Sequence, residues 1–288
     1  MIKPKAQRKH LYTPLRYPGG KTSLFEFFAN VFIAHKWKHL TYVEPYAGGA
    51  GAALSLLILG HVDKIIINDF DKAVFSFWDS IIHRTDEFVD LIRETPITID
   101  EWSKQKLIHK AGDHTDPLAL GFATFYLNRT NRSGILNGGP IGGHSQGGEW
   151  KLDARYKKEK LIEKIELIAS YRDKITILND DGIDVIKKYA HKKEVFMYVD
   201  PPYFVKGANL YLNAFKIADH EKLAQTLKDA RNTKWLLSYD KEQEILDLYK
   251  DMKYEVFSLK YSVHHNTRLG SEVMIFSDSI EKELIDIL

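Results

Sequence analysis

The chain has 288 residues, of which 44% are hydrophobic and 28% charged, and 41 Lys and Arg against 39 Asp and Glu give a formal net charge of +2. This balance excludes disorder by composition and suits one large domain, or a domain with a sizeable insert. The lack of cysteine excludes disulfides, thiolate metal sites and thiol nucleophiles. The twelve His residues show no metal-binding spacing, so no metal is expected.

In chain order, the first 21 residues carry Lys3, Lys5, Arg8, Lys9, Arg16 and Lys21 and no acid. No apolar stretch follows that could serve as a secretory signal, and the longest apolar run, Ala50 to Leu59, is too short to cross a bilayer. The expectation is a soluble, cytoplasmic protein with no membrane partner. Thr41 to Glu44 reads as a short strand, Ala52 to Leu59 as a buried helix and Lys64 to Ile67 as a buried parallel strand. Together they form a βαβ unit, which predicts an α/β sheet with helices on both faces.

From about Val74 the pattern changes. Phe75 to Leu91, Leu118 to Leu127 and Lys157 to Tyr171 are long amphipathic stretches around a loop, Gly134 to Gly148, that is too rich in glycine to pack a core. Residues 74–171 therefore read as a mostly helical insertion with a Gly-rich hairpin or loop, set into a domain made of residues 1–73 and 172–288. The α/β signal returns with strands at Ile175 to Leu178, Val195 to Val199 and Lys234 to Ser238, and a helix at Ala218 to Arg231. Two further strands follow, at Glu255 to Leu259 and Val273 to Phe276.

Three motifs fall at strand ends. Glu44-Pro45-Tyr46-Ala47-Gly48-Gly49-Ala50-Gly51 is a Gly-rich strand-to-helix turn, where a ligand can approach the backbone and the free N–H groups of a helix N-terminus. Dinucleotide enzymes, nucleotide binders and methyltransferases all use such a turn. Asn68-Asp69-Phe70-Asp71 ends the next strand; a carboxylate there accepts both hydroxyls of a ribose, and Asp69 is assigned that task while Asp71 caps the following helix. Asp200-Pro201-Pro202-Tyr203 follows a buried strand. Two prolines stop the ladder and stiffen the turn. The Asp200 carboxylate and the Pro201 carbonyl are then two fixed acceptors for an exocyclic amine, with Tyr203 available to stack on its base.

The ordered set of these stretches resembles the Dam-type DNA adenine N6-methyltransferases, over roughly residues 12 to 276. Arg16-Tyr17-Pro18-Gly19-Gly20-Lys21 is similar to the family's N-terminal cofactor motif, Glu44 to Gly51 to its methyl-donor loop, and Asn68-Asp69 to its ribose acid. Phe125 to Thr130 with Gly134 is similar to its target-facing insertion segment, Leu178 to Asp181 to its acidic site, and Asp200 to Tyr203 to its catalytic tetrapeptide. The resemblance implies a Rossmann-like methyltransferase sheet and S-adenosylmethionine as cofactor. It implies direct methyl transfer to the amino group of an adenine flipped from double-stranded DNA. Tyr17, Lys21, Glu44, Pro45, Tyr46, Ala47, Gly48, Gly49, Asp69, Asp181 and Asp200 are implied at the cofactor. Asp200, Pro201, Pro202 and Tyr203 are implied in catalysis. The basic insertion, with Arg129, Asn131, Arg132, Lys151 and Arg155, is the expected DNA contact. A cognate restriction endonuclease is compatible with this reading, which leaves the oligomeric state open.

Three rivals remain at this stage. One is the same chemistry on an RNA adenine or a protein amide; another is an idle DNA-binding module on the same fold; a third, a dinucleotide oxidoreductase, would share the Gly-rich loop and the acid but has no use for Asp200-Pro201-Pro202-Tyr203. Asp rather than Asn at position 200 favours a base amine, and the intact motifs favour an enzyme.

Overall fold

The structure, a computed structural model, describes residues 12–16, 21–204, 215–263 and 266–281, and for 258–263 and 266–271 the backbone alone. Tyr17, with Pro18 to Gly20, lies outside the described residues.

Among the described residues the strands β1 (Thr41–Glu44), β2 (Lys64–Asn68), β3 (Ile175–Leu178), β4 (Val195–Val199), β5 (Trp235–Asp240), β6 (Lys253–Val263) and β7 (Asn266–Phe276) form one seven-stranded sheet. Their order is β3-β2-β1-β4-β5-β7-β6. The first five are parallel, whereas β7 runs antiparallel to both β5 and β6. This is the expected α/β, Rossmann-like sheet, with an antiparallel hairpin at one edge that the strand patterns alone did not reveal.

Strand residues alternate between two apolar layers, as the period of 2 requires. Tyr42, Ile65, Ile67, Phe196, Tyr198 and Leu236 enter one core. Val43, Ile66, Met197, Val199, Leu237 and Tyr239 enter the other. The first face is covered by α1 (Phe25–Ala34) and α2 (Gly51–Ile58) and by helices of the insertion. The second is covered by α8 (Gly182–Tyr189), α9 (Ile217–Asp229) and α10 (Gln243–Leu248).

The insertion contains α3 (Lys72–His83), α4 (Thr85–Glu94), α5 (Ile99–Ala111), α6 (Pro117–Thr130) and α7 (Lys158–Ala169). The stretch read as one amphipathic run, Phe75 to Leu91, is two helices broken at Arg84, whose backbone is non-helical (φ −131°, ψ 42°). Asp86 and Glu87 in the first turn of α4 complement its N-terminal dipole. Asp71, as assigned, caps α3 by accepting from the Ala73 amide; Thr98 caps α5, and Asp116 with Pro117 starts α6. The insertion does not pack apart from the sheet. Phe77, Trp78, Phe88, Phe122 and Phe125 belong to the same continuous core as Ile65, Ile67 and Phe196. Gly121 makes the close approach of α6 to α3 feasible, because a Cβ there would lie 2.4 Å from the Ser76 carbonyl oxygen.

Among the described residues no helix is long and apolar enough to cross a membrane.

Candidate active site

β1 and β4 are hydrogen-bonded neighbours, with Thr41 to Val43 paired to Val195 to Met197. Strand order reverses between them, since β2 and β3 lie outward on one side and β5 on the other. The loop from Glu44 and the turn from Asp200 therefore leave the carboxyl edge side by side, at the position where open α/β sheets bind ligands.

The loop after β1 is held from three directions. Asn68 takes the Pro45 carbonyl (2.8 Å) and the Asp180 carbonyl (2.9 Å) with its amide nitrogen, while its oxygen accepts from the Asp180 amide (2.8 Å). The Gly48 carbonyl accepts from the Trp78 indole on α3 (2.9 Å), and the Gly48 amide donates to Asp69 Oδ2 (2.9 Å). Gly48 (φ 48°) and Ala50 (φ 46°) lie in the left-handed region, which turns the chain sharply into α2. Glu44 is buried; its Oε1 accepts from the Tyr42 hydroxyl and the Ala53 amide, and burial pushes its carboxyl up to about 8.

Asp69 accepts from two backbone amides, Gly48 on Oδ2 and Asp71 on Oδ1, which fixes the carboxylate and leaves further lone pairs for a ligand. Burial pushes its carboxyl up to about 7. Next to it Phe70 is 55% exposed, a large apolar face beside the acid that sequence reasoning passed over. Asp181, expected near the cofactor, caps α8 by accepting from the Ile183 amide (2.8 Å).

The Asp200 carboxylate is reached by two other side chains, Lys21 and Ser238. Lys21 Nζ stands 3.1 Å from both of its oxygens, donates to the Tyr203 hydroxyl and lies 4.9 Å from the centre of the Tyr203 ring. Lys21 also pairs with Glu272 on β7 at 3.6 Å. Ser238 Oγ on β5 donates to Asp200 Oδ1 at 2.6 Å. The turn is continued by the Phe204 amide, which donates to Asp240 Oδ1 at 3.1 Å. Lys21 was expected at the cofactor; its ammonium is found on the Asp200 carboxylate and the Tyr203 hydroxyl. Ser238, Glu272 and Asp240 carried no sequence signal beyond being polar residues near the ends of apolar strands.

In the insertion, two of the five residues expected on DNA have side chains engaged within the protein. Asn131 is fully buried: its oxygen accepts from the Trp102 indole (2.7 Å) and its nitrogen donates to the Ile135 and Leu136 carbonyls. Arg129 spends its guanidinium on the backbone carbonyls of Arg155 and Pro14. Burial and the charges of Arg16 and Arg155 lower its pKa to about 10. Arg132, Lys151 and Arg155 are exposed. The Gly-rich loop is tethered. Asn131 forms a bridge with Pro140, Lys106 on α5 donates to the Leu136 carbonyl, and the Gln146 side chain holds the Ile141 and Gly143 carbonyls and the Leu152 amide. Asn128 ties the loop to the N-terminal segment: it accepts from the Arg16 amide and donates to the Arg16 and Gly134 carbonyls.

Among the described residues no group of three or more His, Asp or Glu is placed to hold a metal ion.

The sequence model of the D12 class N6 adenine-specific DNA methyltransferases matches residues 17–264. The chain is 26% identical over 274 residues to the type II methyltransferase M.CviBI of Paramecium bursaria Chlorella virus NC1A, covering 90% of this chain and 95% of that protein. It is 22% identical to the DNA adenine methylase of Escherichia coli strain K12, covering 88% and 89%. With the donor loop, the Asp69 turn and the Asp200 tetrapeptide gathered at one edge of the sheet, and with the family pattern running through all three, this chain belongs to the D12 class of N6 adenine-specific DNA methyltransferases.

Proposed function

We propose that the chain takes S-adenosylmethionine as its methyl donor and methylates an adenine flipped out of duplex DNA. The observation that carries this reading is the adjacency of β1 and β4, which puts the loop from Glu44 and the turn from Asp200 at one point of the carboxyl edge.

The residues fit that donor. Asp69 is a fixed carboxylate with spare acceptor capacity for two ribose hydroxyls, and the Phe70 ring gives a purine an apolar surface. The loop Glu44 to Gly51 supplies backbone groups at the start of α2. The donor, when bound, supplies an electrophilic methyl group on a sulfonium.

On the acceptor side, adenine N6 is a poor nucleophile because its lone pair is delocalised into the ring. Asp200 and the Pro201 carbonyl take its two protons in hydrogen bonds and so direct the lone pair at the methyl group. On transfer N6 would gain the methyl group, the thioether would leave with the carbon–sulfur electron pair, and the proton that N6 sheds would pass to the Asp200 carboxylate. Tyr203 stacks on the base. Because N6 is paired inside a duplex, the base has to leave the stack, at a cost of a few kcal/mol. Exposed Arg132, Lys151 and Arg155 beside the Gly-rich loop offset that cost by binding phosphates. Residues 74–171 are on this reading the target-recognition element.

The test is transfer of tritium from labelled S-adenosylmethionine to duplex DNA, RNA or protein. Label in duplex DNA, lost on Asp200→Ala while cofactor affinity is kept, supports the reading. Label appearing in RNA or protein alone, or full activity in Asp200→Ala, overturns it.

A further inference from the structure

The catalytic turn is backed by a chain of two buried hydroxyls. Ser238 Oγ lies 2.6 Å from Asp200 Oδ1, and the Tyr198 hydroxyl lies 2.7 Å from Ser238 Oγ. Both side chains are closed to solvent, Ser238 at 0% and Tyr198 at 2% exposure. Tyr198 is on β4, two residues before Asp200 in the turn that follows it, and both side chains reach Ser238.

The direction of this chain follows from the chemistry of its end. An ionised carboxylate only accepts, so the Ser238 proton points at Oδ1. With that proton committed, Ser238 can only accept from Tyr198, and Tyr198 donates. Burial pushes the Tyr198 phenol up, which keeps its proton in place. A charge-assisted bond of this length in a dry site is strong and directional. It stops the carboxylate from rotating by holding one acceptor site of Oδ1, whereas Lys21 is shared equally between the two oxygens at 3.1 Å. A carboxylate free to turn would present its oxygens to an incoming amine in many poses.

We propose that Ser238, oriented by Tyr198, is a positioning residue for methyl transfer: it clamps Oδ1 of Asp200 so that Oδ2 is the oxygen presented to the target amine. The inference rests on Asp200 being the acceptor for that amine.

The experiment measures the single-turnover rate of methylation of duplex DNA by the full chain, together with separate dissociation constants for S-adenosylmethionine and DNA. Ser238→Ala slows the single turnover by roughly 10–100-fold, the size expected of a sub-ångström loss of alignment, with both dissociation constants within about twofold of the wild type. Ser238→Thr, which keeps the hydroxyl, recovers most of the rate. Tyr198→Phe gives a smaller loss, since Ser238 still donates. A merely structural serine would lower the melting temperature and leave the rate intact at a permissive temperature. If Ser238→Ala does not fold, Ser238→Cys, of similar shape with a weak donor, carries the same expectation. A wild-type rate in Ser238→Ala or Ser238→Cys, with Asp200→Ala inactive, overturns the clamp and leaves the site reading standing. Activity in Asp200→Ala overturns the site reading itself.

Discussion

Lys21 Nζ sits 3.1 Å from each carboxylate oxygen of Asp200. The ammonium thus occupies the position and the hydrogen bonds that the proposed target amine needs, and must give way when a base arrives. It also compensates Glu272, which is fully buried. Lys21→Met therefore leaves two carboxylates short of their cation. The expected loss is about 3–5 kcal/mol of stability, as for other broken buried pairs. The double variant Lys21→Met/Glu272→Gln recovers part of it. Urea unfolding of the two variants checks the order; equal stability of wild type and Lys21→Met sinks the account.

Glu44 sets a pH dependence of stability. Its carboxyl is pushed up from 4.5 to about 8 by burial. The folded state therefore holds a proton that the unfolded state has already lost, and stability falls as pH rises from about 4.5 to about 8. Each pH unit in that window costs at most about 1.4 kcal/mol for one proton. Glu44→Gln mimics the protonated form, so its melting temperature matches the wild type near pH 4.5 and exceeds it by a margin that grows up to about pH 8. A gap that does not widen with pH counts against the assignment.

Asp69 sets a pH dependence of binding. Burial holds its carboxyl at about 7, and the charged form is the one that accepts two hydroxyls. The dissociation constant for S-adenosylmethionine rises as pH falls below about 7, by up to roughly tenfold per unit. Asp69→Asn binds more weakly and flattens the profile. Calorimetric titrations from pH 5.5 to 8.5 decide it, and a parallel slope in the variant refutes the role.

The insertion separates contact residues from struts. Arg155→Ala weakens DNA binding across sequences and reduces the salt slope by about 1, since one phosphate contact is lost. Arg129→Ala instead exposes its cost in thermal stability, because the carbonyls of Arg155 and Pro14 lose their donor. Salt-dependent binding isotherms and melting curves of both variants separate the two roles; interchangeable behaviour rejects the distinction.

Gly121→Ala places a methyl 2.4 Å from the Ser76 carbonyl oxygen, a backbone atom that cannot step aside. The helices α3 and α6 must part, at a cost of about 1–3 kcal/mol. Thermal denaturation reads this directly, and an unchanged midpoint contradicts the packing.

The sheet and the two turns at its carboxyl edge were legible because buried parallel strands are short apolar runs, and Asp69 and Asp200 follow directly at their ends. The hidden parts share one cause. Helix α5 buries only Trp102 and Gln105, so no apolar stripe announced it, yet it holds the Gly-rich loop through Asn131. Asn131 and Arg129 have the composition of DNA contacts, but their groups are consumed by backbone carbonyls, and no local pattern tells a reader of bases from a strut. Ser238 and Glu272 reach Asp200 and Lys21 only through strand pairing far along the chain.

The shared aromatic core, in which Phe77 and Phe125 stack at 5.9 Å within the same cluster as Phe196, has a bearing on how target specificity can change. Exchanging the whole 74–171 segment with a relative strips one face of the sheet of the part of its cover that α1 and α2 do not supply and asks many buried surfaces to fit anew. Exchanging only residues 132–151 leaves those rings in place, together with Tyr156, which meets Phe125 at 5.5 Å. On the proposed reading of residues 74–171 as the target-recognition element, a new sequence preference is therefore more accessible by rewriting the tethered loop than by trading the whole segment.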